Sequence, residues 1–249
     1  MQPPPVVRRT WRLVLLGPPG VGKGTQAQLL SNALGACPLS TGDIFRAARS
    51  YQSAPGSAMA VAQERMDHGE LVPDDLVLGL VVERQPCLRC RGGFTLDGFP
   101  RTLRQAVSLD GMLETHRLRL DAVISYELSE EELTERLSGR RMCRRCHAVF
   151  HVVKRPPARA GVCDHCGDVL ERQRDDEPRA VKARLDAYME ATLEVEEHYA
   201  KQNLVVSIAA TGEPMVIIAH TLDALAARTL PSEENHSPAP RGLAPSNAG

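Results

Sequence analysis

One stretch constrains the fold more than any other. Gly17-Pro18-Pro19-Gly20-Val21-Gly22-Lys23-Gly24-Thr25 follows the apolar run Arg12-Leu13-Val14-Leu15-Leu16 and precedes a helical pattern with Gln26, Ala27, Leu29, Leu30, Ala33 and Leu34. A strand that passes through a glycine-rich turn into a helix builds an anion cradle. The glycines let the backbone turn tightly and aim successive N–H groups at phosphate oxygens. The helix N-terminus adds positive partial charge, and Lys23 supplies a mobile ammonium for the terminal phosphates. The general pattern puts Ser or Thr right after the lysine; here Gly24 intervenes and Thr25 follows. A ligand-free strand-to-helix turn is the bland alternative, and the flanking elements argue against it.

The rest of the chain continues the rhythm. Strands are expected at 93–97, 121–128 and 204–208, with helices at 57–68, 74–85, 102–116, 130–138, 177–201 and 214–228. Strands separated by helices pair in parallel and are covered on both faces, which predicts an α/β, doubly wound sheet. Asp97-Gly98-Phe99-Pro100-Arg101 ends an apolar strand expected beside the first. An aspartate there faces the crevice at the strand ends and is placed to hold Mg²⁺ through water.

Composition excludes several classes. With 30 basic against 31 acidic side chains, the net charge of -1 carries no basic excess for a general polyanion binder. No apolar run approaches the roughly 18 to 20 residues that span a bilayer. The first residues show no signal-peptide hydrophobic region, so a cytoplasmic location is expected. Residues 1–10 read as a flexible head, and 231–249, with four prolines and almost no large apolar side chain, as a disordered tail.

Residues 139–176 break the pattern with four cysteines, three histidines and eight arginines. Cys143-x2-Cys146 and Cys163-x2-Cys166 stand 16 residues apart. Two such knuckles match a structural zinc site, since each tight turn supplies two thiolates and four sulfurs leave no open position. A segment this polar has no apolar core, so a metal is the obvious clamp. His147, His151 and His165 are read as surface residues beside that complete set. Cys87-x2-Cys90 finds no second pair and reads as two free thiols; Cys37 reads as a small buried residue.

Taken together the motifs resemble the adenylate kinases and related nucleoside monophosphate kinases. The shared landmarks are Gly17 to Thr25, Ser40 to Asp43 with Arg46, Glu70 to Asp74, Asp97 to Arg101 with Thr102 and Gln105, Gly139-Arg140-Arg141, and Asp175-Asp176 with Arg184. They fall in the family's order over about residues 11–228. The resemblance implies a P-loop nucleoside kinase fold with a core of 11–39, 73–138 and 177–230, a monophosphate-binding flap at 40–72 and a zinc lid at 139–176.

Carried over by position, it implies that Gly20, Val21, Gly22, Lys23, Gly24 and Thr25 cradle ATP. Arg136, Val149 and Phe150 would border its adenine, and Arg140 and Arg184 would contact phosphates. Thr41, Arg46, Glu70, Leu71, Val72, Gly98, Phe99, Pro100, Arg101 and Gln105 would line the AMP site, with Gln173 and Arg184 reaching it from the lid side. Arg46 and Arg101 would grip the acceptor phosphate, Thr41 and Gln105 the adenine. Lys23, Asp97, Arg101, Arg140 and Arg184 form the expected transfer group. Phosphoryl transfer needs positioning and charge neutralisation more than covalent chemistry, and planar guanidinium groups suit that task. The implied cofactors are Mg²⁺ with ATP and a structural Zn²⁺. The implied partners are ATP, AMP and ADP, with neither nucleic acid nor membrane, for a monomer.

The sequence departs from the family at three places. Gln173 stands where the lid usually presents an arginine, with Arg172 and Arg174 flanking it as candidates to substitute. The stretch 50–56, between Arg46 and the following helix, is about three residues longer than usual by a rough count against the family pattern. Ala209-Ala210-Thr211-Gly212 lacks an aspartate before its glycine. Other readings are a kinase with a different donor such as GTP or a different acceptor, a nucleotide-binding regulator weakened at Gln173, and a zinc-ribbon nucleic-acid module fused to an ATPase.

Overall fold

A computed structural model describes residues 9–42, 58–68, 70–83, 90, 92–146, 148–173 and 176–228. Arg46, the long stretch 50–56, Cys87, His147, Arg174, Asp175 and the tail 231–249 lie outside the described residues.

Five strands form one parallel sheet: β1 (Trp11–Leu16), β2 (Cys37–Ser40), β3 (Gly93–Asp97), β4 (Ala122–Glu127) and β8 (Val205–Ala209), in the order β2-β3-β1-β4-β8. Side chains on a strand alternate between faces. Leu13 and Leu15 pack with α1 (Lys23–Leu34), α5 (Glu130–Gly139) and α7 (Pro214–Ala227), while Val14 and Leu16 pack with α2 (Ala58–Asp67), α3 (Asp74–Glu83), α4 (Leu103–Thr115) and α6 (Pro178–Ala200). Burial on both faces is why β1 reads as a continuous apolar run instead of an alternating one. Among the described residues no helix is long and apolar enough to cross a membrane.

Local chemistry sets several helix ends. Thr102 and Ser129 accept hydrogen bonds from the N–H groups of Gln105 and Glu132, capping α4 and α5. Glu130, Glu131 and Glu132 then sit in the first turn of α5, where the helix dipole favours negative charge. Gly35 ends α1 at φ 73°, a conformation that costs glycine least.

The expected strands and helices are found with bounds shifted by a residue or two. Strand β2 is an addition: it pairs with β3 from Cys37↔Phe94 to Ser40↔Asp97 and forms the sheet edge. It leaves Cys37 half-buried, not fully buried as expected. Between α5 and α6 the chain makes a separate antiparallel sheet of β5 (Arg140–Cys143), β6 (Val149–His151) and β7 (Leu170–Glu171), in the order β6-β5-β7.

Candidate active site

With β1 flanked by β3 and β4, and β2 reached across β3, the chain reverses winding direction at β1. Ligands of open parallel sheets bind beyond the strand ends at such a point. The glycine-rich loop lies there, and at two positions its surroundings leave no room for a side chain. Gly17 has φ 134°, and a Cβ on it would stand 2.6 Å from the Tyr126 carbonyl oxygen. Gly20 has φ 86°, and its Cβ would meet Leu137 at 2.7 Å.

Lys23 is the first residue of α1 and folds back over the loop, its Nζ donating to the carbonyl oxygens of Gly17 (2.6 Å) and Pro18 (3.0 Å). Burial pushes its pKa down to about 7; Asp97 opposes that shift, and the charges of Arg101, Arg184 and Arg140 add to it. The lysine thus sits in a pocket of excess positive charge, the electrostatic shape of an anion site. Asp97, at the end of β3, brings its carboxylate against the start of α1: a Cβ on Gly24 would lie 3.5 Å from its Oδ2.

The cavity beside Lys23 collects residues from across the chain. Of those expected, Leu71, Gly98, Pro100, Arg101 and Arg184 line it with Lys23. The Phe99–Pro100 peptide bond is cis. Arg101 Nε donates to the Gly98 carbonyl at 2.9 Å, and buried Thr41 donates to the same oxygen at 3.0 Å. Glu70 is exposed and paired with Arg65 at 2.6 Å. Leu15 and Leu16 supply the apolar floor, and Tyr188 and Thr192 of α6 complete the wall. The helical periodicity of 177–201 marks these two only as one face of a helix, so sequence reasoning passed over them.

Arg136 donates to the carbonyl oxygens of Val21 (3.2 Å) and Ala210 (2.8 Å), tying the phosphate loop to the turn before α7. Arg140, the first residue of β5, makes a two-pronged ion pair with the fully buried Asp176, which Arg184 approaches at 3.4 Å. Gln173 accepts from Arg140 at 3.3 Å. Arg172 is committed elsewhere, donating to the Asp176 backbone carbonyl at 2.6 and 3.2 Å. It is therefore not poised as the substitute that its position beside Gln173 offered.

In the lid, the sulfurs of Cys143, Cys146, Cys163 and Cys166 all lie within 4.8 Å of one another. Bonds of about 2.3 Å from one zinc ion set tetrahedral sulfurs roughly 3.8 Å apart, so the cluster fits. Burial pushes the Cys143 thiol up, but the N–H groups of Cys146 and Arg145 and the neighbouring sulfurs outweigh it and bring the thiol down to about 7. His165 is exposed with its ring edge on Phe150, and His151 turns its ring towards the Glu135 carbonyl, so neither imidazole joins the sulfur group. Phe150 is 3% exposed, packed with Cys143, Cys163 and Leu170. Its ring fills the lid interior and does not line the cavity, while Val149 is half-buried.

Comparison with known proteins agrees with this arrangement. The family model described as adenylate kinase matches residues 15–204. An adenylate kinase of Carboxydothermus hydrogenoformans is 45% identical over 214 residues, covering 86% of this chain and 99% of the relative. One from Streptomyces avermitilis is 44% identical over 215 residues (86% and 96%), and one from Methanocella arvoryzae 46% over 198 (79% and 90%). With a phosphate loop at the switch point of a parallel sheet and arginines gathered around its lysine, the chain belongs to the adenylate kinase family of phosphotransferases.

Proposed function

We propose that the chain catalyses the Mg²⁺-dependent, reversible transfer of the γ-phosphoryl group of ATP to AMP, giving two ADP. The observation that carries this reading is the convergence of Lys23, Arg101 and Arg184 on one cavity, with Arg140 near enough to lower the lysine's pKa. The bond between the γ phosphorus and its bridging oxygen breaks as an AMP phosphate oxygen bonds to that phosphorus. The attacking oxygen is already anionic near neutral pH, so no general base is required. What the reaction needs is in-line placement and cations around the equatorial oxygens.

In this reading the loop from Gly20 to Thr25 holds the donor phosphates and Arg101 holds the acceptor phosphate, joined by Arg46. Arg140 and Arg184 bracket the transferred group. Thr41, Leu71, Val72 and Gln105 form the acceptor's base site. Asp97 and Thr25 would hold Mg²⁺, which supplies charge neutralisation on the phosphates when bound. Cys143, Cys146, Cys163 and Cys166 would hold Zn²⁺ as a closed structural site.

The test is ADP formation from ATP with AMP, CMP, UMP or GMP as acceptor. Turnover with AMP far above the others is expected. Binding of AMP without turnover would replace this reading with that of a nucleotide-binding regulator.

A further inference from the structure

We infer that Asp74 is a positioning residue for the acceptor: it fixes the orientation of the Gln105 amide and, through it, the backbone of Arg101. Asp74 opens α3, two residues after the Leu71-Val72 segment. Its Oδ1 accepts from Gln105 Nε2 at 2.7 Å, and both carboxylate oxygens lie 3.1 Å from Thr102 Oγ1. An ionised carboxylate only accepts hydrogen bonds, so it draws the NH₂ end of the amide towards itself. The other end is then decided: Gln105 Oε1 accepts the Arg101 N–H at 2.8 Å.

Thr102 is aligned by the same group. Its single hydroxyl proton points to Asp74, leaving a lone pair for the Gln105 N–H at 3.2 Å that caps α4. Arg101 is thus held at its N–H by Gln105, at its carbonyl by Thr192 Oγ1 (3.3 Å) and at Nε by the Gly98 carbonyl (2.9 Å). One carboxylate sets the polarity of the first of these holds. Gln105 is 2% exposed, so bulk water is not at hand to replace Asp74.

After these bonds, one N–H on Nε2 and one lone pair on Oε1 are left over among the described residues. A donor and an acceptor side by side complement the N7 and N6–H₂ edge of adenine. An amide free to invert would present the wrong order and would also turn NH₂ against the Arg101 N–H. The inference rests on AMP being the acceptor.

The experiment is steady-state titration of AMP and of ATP on the full-length chain, with thermal melts, for wild type, Asp74→Ala and Asp74→Asn. Asp74→Ala is expected to raise KM for AMP about tenfold or more, as for a buried amide that has lost its partner, with KM for ATP unchanged within about twofold. Asp74→Asn keeps a carbonyl oxygen for Gln105 and should restore KM for AMP to within about threefold of wild type. Should Asp74→Ala not fold, Asp74→Ser, whose side chain is too short to reach the amide, carries the same expectation. A lower melting temperature with KM for AMP unmoved, equal rises in both KM values, or no rescue by asparagine overturns the assignment. A wild type inactive with AMP overturns the functional reading and this inference with it; an active wild type beside an unaffected Asp74→Ala overturns only the role of Asp74.

Discussion

Among the described residues, each face of the five-stranded sheet buries a cluster of fifteen, whereas the lid interior buries four, Cys143, Phe150, Cys163 and Leu170, two of them cysteines. Both regions deliver cations to one place, Lys23 and Arg101 from the core and Arg140 from the lid. They are stabilised by different physics. The core buries apolar area at about 25 cal/mol per Å², enough to order a long chain. The lid has strands of two to four residues and almost no such area, and we propose that a metal on its four cysteines orders it.

Removal of the proposed metal should give the largest effect. Zinc binding to four-cysteine sites is worth about 10–16 kcal/mol apparent at neutral pH, far more than the lid's own packing. Chelation, or Cys146→Ser, is expected to abolish zinc content and release amide protection across β5, β6 and β7, while β1, β3 and β4 keep theirs. Hydrogen exchange with a parallel zinc assay reads both. Loss of protection in the core strands at the same chelator concentration would show that the two regions fold as one.

The next test compares two nearly inaccessible rings. Phe94 is fully buried in the core, and Phe150 is 3% exposed in the lid. Truncation of a buried Phe to Ala costs about 3–5 kcal/mol. Phe94→Ala is expected to lower global stability by that full amount, read as a drop in the main melting transition. Phe150→Ala should leave the main transition in place and loosen only the lid, seen as faster exchange in 140–171. Equal drops in melting temperature would break the comparison.

The same contrast explains what could be read from the sequence. Strands β1, β3, β4 and β8 are apolar enough to announce themselves, and the phosphate loop needs glycines that no other residue replaces at Gly17 and Gly20. Strand β2 hid because it has four residues, one of them Pro38, and a half-exposed pattern; an edge strand tolerates such a proline. The sulfur cluster was legible because metal ligation demands fixed spacing. Tyr188 and Thr192 were not, since a helical period tells which face is covered but not by what. Nor was the commitment of Gln105 to Asp74, a contact across 31 positions set by tertiary packing.

A smaller effect tests how the two regions share the charge on Lys23. Its pKa of about 7 in the unliganded fold lies below the ordinary lysine value near 10.4. The unfolded chain therefore binds more protons between those limits, and this group's contribution to stability rises with pH through that window. Phosphates in the cavity favour the ammonium form. Binding of MgATP at pH 8 should thus draw in close to one proton, measured by calorimetry in buffers of different ionisation enthalpy. Lys23→Met should abolish the uptake. Arg140→Ala should reduce it only slightly, because the lid arginine is the weakest of the named influences. No uptake in the wild type would mean that the core alone already keeps Lys23 charged.

The smallest expected change concerns Gln173. Its Oε1 takes a hydrogen bond from Arg140, and its Nε2 lies 2.9 Å from the Met142 sulfur, so it acts as a strut for the lid arginine without adding charge. We propose that turnover is held down by the missing cation. A fully placed transition-state donor is worth about 2.7–4 kcal/mol. Gln173→Arg would gain part of that and lose the strut, placing a second guanidinium against Arg140. The expected outcome is a kcat raised by less than about tenfold, with unliganded stability lowered by roughly 1 kcal/mol. The stability loss should appear in lid exchange and not in the core melt. An unchanged or lower kcat would show that Arg140 and Arg184 already saturate the charge the reaction requires, and that the lid's part in the chemistry is to bring Arg140 and then exclude water.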